Sequence, residues 1–165
     1  MSDESRRKTN QMTKLDITYR GTVQQWHCDF MGHMNVMWYV GKFDEATWNF
    51  ASMMGLTGEY LKATNRGMAA VEQRICYKRE ALVGDTLTVR TAAVEVKPKL
   101  VRFVHEMRRG EAGDLLASMM AIGVHIDTVA RKSIPFEHHI LQKTHSILAP
   151  DPTLWDKWPP EQGYL

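Results

Sequence analysis

The clearest pattern in the chain is a run of apolar residues with helical spacing between positions 36 and 54. Apolar side chains recur there at steps of three and four residues, whereas polar side chains such as Lys42 and Asn49 fall on the opposite side. Asn35 stands where a helix N-cap is expected, and Gly55 stands just past the end, where a C′ glycine belongs. The pattern predicts one amphipathic helix of about five turns.

Most of the remaining chain alternates between apolar and polar residues with a period of two, which is typical of strands. The turns between the later segments are short, and short turns join antiparallel neighbours because parallel strands need a crossover of a dozen residues or more. The expected order is β-α-β-β-β-β, an α+β fold in which a single antiparallel sheet of about five strands wraps the long helix. The predicted strands are residues 16–23, 67–80, 86–96, 100–109 and 115–127, with a short second helix at 58–65.

The two ends of the chain differ in composition from this middle part. Residues 1–13 are polar and charged, and we expect a mobile tail there. Residues 14–129 carry the helix and strand pattern and are predicted to form one domain. Residues 130–165 contain five of the six prolines, a density that opposes regular helix or central strand. Because this extension also carries apolar side chains, we expect it to pack on its own domain or on a neighbouring subunit.

Composition narrows the class of protein. The chain has 165 residues, and 21 basic against 19 acidic residues give a net charge of +2, without the concentrated basic stripe of a nucleic-acid binder. No apolar run approaches the roughly 20 residues that span a bilayer, and the first ten residues lack the apolar core of a signal peptide. We therefore expect a cytoplasmic protein with neither nucleic acid nor membrane as a partner.

The residues suited to chemistry are concentrated in the loop before the helix. This loop reads Trp-His-Cys-Asp-Phe-Met-Gly-His-Met-Asn, so that Asp29 lies three residues before Gly32. Tyr39 follows ten residues after the Asp, and an acidic residue, Asp44 or Glu45, lies further along the predicted helix. This arrangement resembles the active-site segment of hotdog-fold acyl-CoA thioesterases, in their 4-hydroxybenzoyl-CoA thioesterase-like branch.

Two further segments carry the resemblance. His33 and Asn35 form a His-x-Asn element similar to that of acyl-carrier-protein thioesterases with the same fold, and residues 75–80 with Gly84-Asp85 resemble the second family strand and its turn. His33 replaces an apolar residue that is common in the hydroxybenzoyl branch, so the substrate of that branch is not implied. The resemblance covers about residues 16–128.

The resemblance implies a hotdog fold and hydrolysis of an acyl-CoA thioester to the free carboxylic acid and coenzyme A. It implies acyl-CoA as the small-molecule partner and no cofactor. Active sites in this fold form between subunits, so a homodimer or homotetramer is implied as well. The expected sheet agrees with this, because five strands leave an edge that a second copy would pair.

Elementary chemistry explains how such a loop would act. A helix N-terminus presents unpaired backbone N–H groups and about half a positive charge, which hold a developing oxyanion, and Gly32 would let a substrate approach the backbone. Asp29 would attack the thioester directly or act as general base on water. The plainer alternatives are a turn aspartate that bonds its own backbone, an Asn35 that only caps the helix, and a structural His33.

Other residues are candidates for binding the substrate. Aromatic side chains in and after the loop would line an acyl pocket and favour a short or flat acyl group. Trp26, Trp38, Trp48 and Tyr39 would alternatively cage a quaternary ammonium, since some relatives with a Gly-His-Met-Asn loop are associated with carnitine and betaine metabolism. The predicted catalytic residues are Asp29, Gly32, His33 and Asn35; the predicted substrate-binding residues are Trp26, Met34, Trp38, Tyr39, Glu45, Lys78 and Arg79; no metal site is predicted.

Three alternatives to a thioesterase stay open. A hotdog enoyl-CoA hydratase would share the fold, but its Asp-x-Asn-Pro-x-His loop is absent from this sequence. A non-catalytic acyl-CoA-binding protein would bind without turnover. A structural subunit of a larger assembly would use the proline-rich extension for docking.

Overall fold

The computed structural model describes residues 15–149, and the predictions for residues 1–13 and for residues 150–165 lie outside this range. In the described range, no helix is long and apolar enough to cross a membrane. The strands are β1 (Asp16–Thr22), β2 (Arg66–Tyr77), β3 (Thr86–Lys97), β4 (Leu100–Arg109), β5 (Leu115–Asp127) and β6 (Lys132–Ser133). The helices are α1 (Val36–Met53), α2 (Gly58–Thr64) and α3 (His138–Ser146), and a single 3-10 turn covers Gln25–His27.

The strands form one antiparallel sheet in the order β1-β3-β4-β5-β2, with β6 paired to the end of β5. The long helix α1 packs on one face of this sheet. Phe43 and Ala46 of α1 are fully buried in the main core, and the Phe50 ring lies 5.5 Å from the Phe103 ring of β4. The predicted hotdog arrangement of one helix wrapped by an antiparallel sheet is therefore confirmed.

The helix has the predicted ends. The side-chain oxygen of Asn35 accepts a hydrogen bond from Met37 N, which is the expected N-cap geometry, and Gly55 has φ +96° just past the C-terminus. The prediction that Lys42 lies on the solvated face is wrong. Its side chain is buried, and Nζ donates to the Tyr19 hydroxyl at 3.0 Å. The cause is the curl of the sheet, which brings β1 over that flank of the helix.

Two of the register shifts in the sheet, in β1 and in β2, interrupt the predicted alternation of apolar and polar residues. The pairing of β1 with β3 shifts register between Ile17 and Tyr19, and at this bulge the polar Thr18 is buried. A second bulge lies in β2 between Ala70 and Glu72, and the intervening Val71 is 61% exposed. The alternation of apolar and polar side chains is therefore interrupted in β2.

A buried chain of hydrogen bonds connects α1 to the sheet. The Thr47 hydroxyl donates to Phe43 O at 2.9 Å, so it accepts from His105 Nε2 at 3.0 Å. His105 Nδ1 then accepts from the Thr91 hydroxyl, which in turn accepts from the Thr18 hydroxyl, each at 2.6 Å. Complete burial lowers the pKa of His105 to about 3, so the ring is neutral, as this donor order requires.

The C-terminal extension contains a regular helix, contrary to the expectation from its prolines. Helix α3 lies between Pro135 and Pro150, which flank it instead of interrupting it. Phe136 and Ile140 join the main core beside the C-terminal end of α1. In the described part of the extension, these two side chains close one end of the core between α1 and the sheet.

Candidate active site

The loop before α1 forms a tight hairpin that brings Asp29 to its lip. Cys28 and Met34 form an isolated antiparallel bridge, Asp29 N donates to His33 O at 3.2 Å, and Gly32 N donates to Asp29 O at 3.0 Å. Gly32 has φ +85°, a conformation that side-chain-bearing residues rarely adopt. The glycine is therefore required by the turn itself, in addition to any role toward a substrate.

The Asp29 carboxylate is held by two donors, one to each oxygen. Met31 N donates to Oδ1 at 2.9 Å, and Asn35 Nδ2 donates to Oδ2 at 2.8 Å. The hydrogen bond from Asn35, followed by that from Met31 N, lowers the pKa of Asp29 below its ordinary value. The side chain is therefore ionised at neutral pH, and it keeps further lone pairs for a substrate or a water.

The start of α1 offers a donor beside this carboxylate. Asn35 caps the helix through Oδ1, which accepts from Met37 N at 3.0 Å, and its carbonyl accepts from Trp38 N at 2.9 Å. Among residues 15–149, the N–H of Val36 has no acceptor. A helix N-terminus with a free N–H next to an ionised carboxylate supplies both an oxyanion donor and an attacking or proton-accepting group.

A cavity of about 180 Å³ opens at this end of the helix. The His33 ring reaches into it, and His33 Nε2 lies 3.6 Å from Glu80 Oε1. The predicted site residues do not include Glu80, whereas the structure brings it to the site within one chain. The residues lining the cavity are His33, Met34, Val36, Tyr39, Tyr77, Arg79 and Glu80.

Tyr39 forms a fixed wall of this cavity. Its hydroxyl donates to Arg79 O at 3.3 Å and accepts from Ala81 N at 3.1 Å, and burial raises its pKa to about 12. The Arg79 side chain is exposed and lies 3.8 Å from Asp114, so it points along the rim. Lys78 is buried and is not part of the lining.

The predicted aromatic cage is not assembled within one chain. Trp38 packs on the His27 ring at 4.4 Å, and Trp26 is exposed beside the same ring. Trp48 follows ten residues after Trp38, roughly 15 Å along α1. Glu45 is exposed near His27, whose pKa is lowered by burial and by Lys42 and is raised in part by Glu45.

Trp48 lines a second cavity, of about 80 Å³, between α1 and the sheet. Its walls are apolar and aromatic, and Asp44 supplies the carboxylate at its edge. The sequence indicates the acidic residue on the helix at this cavity. It does not indicate which strands form the opposite walls. The lining residues are Asp44, Thr47, Trp48, Phe50, Ala51, Met54, Leu56, Met68, Ala70, Gln73, Val101, Phe103 and Gly123.

A third, open cleft beside the first is rich in charges that neutralise one another. Arg109 donates to Asp85 at 3.0 Å, to Asp114 at 3.2 Å and to the carbonyl of Glu80 at 3.0 Å. Because its guanidinium is already occupied, Arg109 is suited to fixing these loops and poorly suited to holding a phosphate. Among residues 15–149, no group of three metal-ligating side chains is close enough to hold an ion.

Comparison with known proteins identifies the family. The profile of the thioesterase-like superfamily matches residues 23–144, which is most of the chain. The chain belongs to this superfamily. The resemblance behind the prediction of a thioesterase is thus confirmed, and the matched range contains the loop, α1 and the strands β2 to β5.

Curated relatives and a solved structure agree with this assignment. Betainyl-CoA thioesterase of Pseudomonas aeruginosa is 23% identical over 136 residues, which cover 82% of this chain and 86% of the relative. L-carnitine dehydrogenase/betainyl-CoA thioesterase of Rhizobium meliloti is 24% identical over 72% of this chain, which spans only 24% of that longer protein. A Staphylococcus aureus protein solved in complex with CoA has the same fold, with a TM-score of 0.75 and 18% identity over 81% of this chain and 87% of its own.

Proposed function

We propose that this protein hydrolyses an acyl-CoA thioester to the free carboxylic acid and coenzyme A. The observation that carries the proposal is the ionised Asp29 carboxylate, fixed by Asn35 at the start of a helix whose Val36 N–H is free. Membership of the thioesterase-like superfamily supports the same reaction. Asp29, the helix N-terminus and water are sufficient for this chemistry, so the proposed reaction uses no cofactor.

The proposed mechanism begins with the thioester carbonyl oxygen on Val36 N–H. Charge develops on that oxygen when the carbonyl carbon is attacked, and a fixed donor in a partly enclosed site stabilises it. Asp29 supplies the attacking oxygen, either its own or that of a water which it deprotonates. Because His33 and Val36 line the same cavity, the proposed mechanism places the departing sulfur beside His33.

The acyl group is proposed to extend toward the second cavity, between α1 and the sheet. Asp44 lies eight residues after Val36, roughly 12 Å along the helix, so an extended acyl chain is needed to reach it within one chain. The apolar lining of this cavity, which includes Phe50 and Phe103, supports an apolar acyl group.

A cationic acyl group is the second candidate, and one observation favours it. Asp44 and Trp48 share a face of α1 at the cavity, and a carboxylate beside an indole ring attracts a quaternary ammonium. A betainyl group, as in the names of the two curated relatives, carries such a cation. It is too short to join Val36 to Asp44 of the same chain, so this candidate requires the cavity of a second subunit.

The proposal is tested by measuring thiol release from a panel of acyl-CoAs that includes octanoyl, benzoyl and betainyl thioesters. We expect turnover of at least one of them, and binding without turnover would support the non-catalytic alternative. Hydration of crotonyl-CoA without hydrolysis would support the hydratase. Asp44→Asn separates the two acyl candidates, because only a cationic substrate should lose kcat/KM, by about tenfold or more.

A second copy of the chain is part of the proposal. Strand β2 forms one edge of the sheet over 12 residues, and the neighbouring face of α1 exposes Val36, Met37 and Val40. In the described chain, a Cβ built on Gly41, on the same exposed side of the helix, would meet no atom within 4 Å apart from the neighbouring residues of the helix itself. A free edge beside an apolar helix face supports pairing of two copies through β2.

A further inference from the structure

The backbone around Glu80 is held from three sides, although its side chain is half exposed. The Tyr39 hydroxyl bonds Arg79 O and Ala81 N, and Met34 N donates to Ala81 O at 2.8 Å. On the opposite side Arg109 donates to the carbonyl of Glu80 at 3.0 Å. These four hydrogen bonds fix the position of residue 80 relative to the helix start far more strictly than a connecting loop requires.

The fixed backbone aims the Glu80 carboxylate at His33. The distance from His33 Nε2 to Glu80 Oε1 is 3.6 Å, and the His33 side chain is 29% exposed. Arg79, the neighbouring cation, points to Asp114 instead. Exposed ion pairs of this kind contribute about 0–1 kcal/mol to stability, so folding alone gives little reason for such a placement.

His33 is surrounded by groups from every element packed against it. Asp29 lies on the same loop as His33, and its interaction with His33 helps to lower the pKa of Asp29. Glu80 faces the ring from the connection after β2, Arg79 lines the rim of the same cavity, and Tyr77 of β2 and Tyr39 of α1 complete it. Of these groups, the Glu80 carboxylate is the one that lies within ion-pair distance of the imidazole, at 3.6 Å.

We propose that Glu80 is a positioning residue that orients His33 as the proton donor to the departing sulfur. This inference rests on the proposed thioester hydrolysis. When the carbon–sulfur bond breaks, its electron pair leaves with the sulfur, and the proton of the His33 imidazolium passes to that thiolate. The products are the thiol of coenzyme A and neutral His33, which regains a proton from water before the next turnover.

The test compares kcat/KM against pH for wild type, Glu80→Gln, Glu80→Asp and Glu59→Gln. Glu59 is an exposed carboxylate at the start of α2 and controls for loss of a surface charge. We expect activity to fall on the alkaline side, and Glu80→Gln to move that limb to lower pH, because the ring then lacks the facing carboxylate. At the optimum, Glu80→Gln should lower kcat by about tenfold, less than the roughly hundredfold of a complete general acid. Glu80→Asp should restore part of this loss.

A second substrate distinguishes proton donation from a structural role. A nitrothiophenyl ester of the same acid leaves as a stable thiolate that needs no proton, so Glu80→Gln should hydrolyse it nearly as fast as wild type. An unchanged pH profile, or an equal defect with both leaving groups, would overturn the role of Glu80. Absence of hydrolysis by wild type itself would overturn the proposed function and this inference together, and unchanged urea unfolding of Glu80→Gln verifies that the variant is folded.

Discussion

Asn35 connects the chemistry of the loop to the stability of the helix through the two ends of one amide. Its oxygen caps α1 by accepting from Met37 N, and its nitrogen donates to the Asp29 carboxylate. The plain capping role and the catalytic role that the sequence left as alternatives are therefore compatible in one geometry. A substitution at position 35 can therefore keep the helix cap and remove the hydrogen bond to Asp29.

Replacing Asn35 by Asp is expected to keep the helix cap and to damage the site. Asp caps helices as well as Asn does, but it cannot donate to Asp29, and its charge repels that carboxylate. We expect unfolding free energy within about 0.5 kcal/mol of wild type, and kcat/KM lower by at least about tenfold. Asn35→Ala is the matched control, which should lose about 1 kcal/mol of stability as well as activity.

The pH dependence of kcat/KM in Asn35→Asp gives a second test of the role of Asn35. The pKa of Asp29 is lowered chiefly by the Asn35 hydrogen bond, so in wild type its ionised form persists as pH falls through the ordinary carboxylate range. In Asn35→Asp the acid limb of kcat/KM should move to higher pH. An acid limb at the same pH in both proteins would contradict the role given to Asn35.

The sequence predicted the residues of one turn and missed the contacts between residues that lie far apart in the chain. Asp29, Gly32 and Asn35 were predictable because their spacing in one short loop determines their geometry. The approach of Glu80 to His33 was not, because it depends on Tyr39 holding a connection about forty residues away. Burial of Lys42 was missed for a similar reason, since it follows from the curl of β1 over the helix.

Between elements, the chain of hydrogen bonds through His105 fixes α1 against β1, β3 and β4. The donors and acceptors follow one another in the order Thr18, Thr91, His105, Thr47 and the carbonyl of Phe43, and the Thr18 hydroxyl also lies 3.3 Å from Val89 O. Such a network is stable only when complete, because a buried polar group without a partner is costly.

Thr47→Val should therefore destabilise the fold although it preserves the side-chain shape. It removes the acceptor of His105 Nε2–H and leaves that group unpaired in the core, at a cost of about 1–3 kcal/mol. Urea unfolding measures this loss. Thr47→Ser keeps the hydroxyl and is the control, and equal stability of the Val and Ser variants would show that the hydrogen bond contributes nothing.

The same elements show where hydropathy patterns reach their limit. The helix α1 was predicted with its ends because a cap residue and a C′ glycine mark them in the sequence. Strand faces were less predictable, since one bulge at Thr18 or Val71 shifts every later side chain relative to the pattern. Helix α3 was missed because proline content was applied to the whole extension, whereas the prolines lie outside its nine residues.

For the whole molecule, buried histidines make stability depend on pH. Burial lowers the pKa of His105 to about 3, and it also lowers the pKa of His27 and His125. Between the folded and unfolded pKa values the unfolded chain binds more protons, so stability is lost as pH falls below 6.5. His105 alone contributes roughly 1.4 kcal/mol for each pH unit in this window.

We expect the urea midpoint of wild type to fall steadily from pH 6.5 to pH 4.5. His105→Gln removes one titrating group, so its stability should depend less steeply on pH, even though the variant is less stable at pH 6.5. A wild-type stability that is constant between these pH values would contradict the neutral, buried state of His105.

The proposed pairing of two copies depends on the edge strand β2. Val71 is exposed on the free edge strand β2, and a charge there should oppose pairing of two copies. We expect wild type to sediment as a species heavier than the 19.0 kDa of one chain, and Val71→Asp to shift toward the mass of a single chain. Val129→Asp, at an exposed apolar position outside β2, is the matched control. A wild type that sediments as a single chain at micromolar concentration would contradict the assembly.

The most direct measurement is the rate of thiol release from the best acyl-CoA of the panel by wild type, Asp29→Asn and Asp16→Asn. Asp29→Asn preserves the size of the side chain and removes its charge, whereas Asp16 lies at the start of the opposite edge strand. We expect kcat/KM to fall by about 10²- to 10⁴-fold in Asp29→Asn and to stay at the wild-type value in Asp16→Asn. If a correctly folded Asp29→Asn variant hydrolysed the thioester at the wild-type rate, the catalytic role of Asp29 would be contradicted.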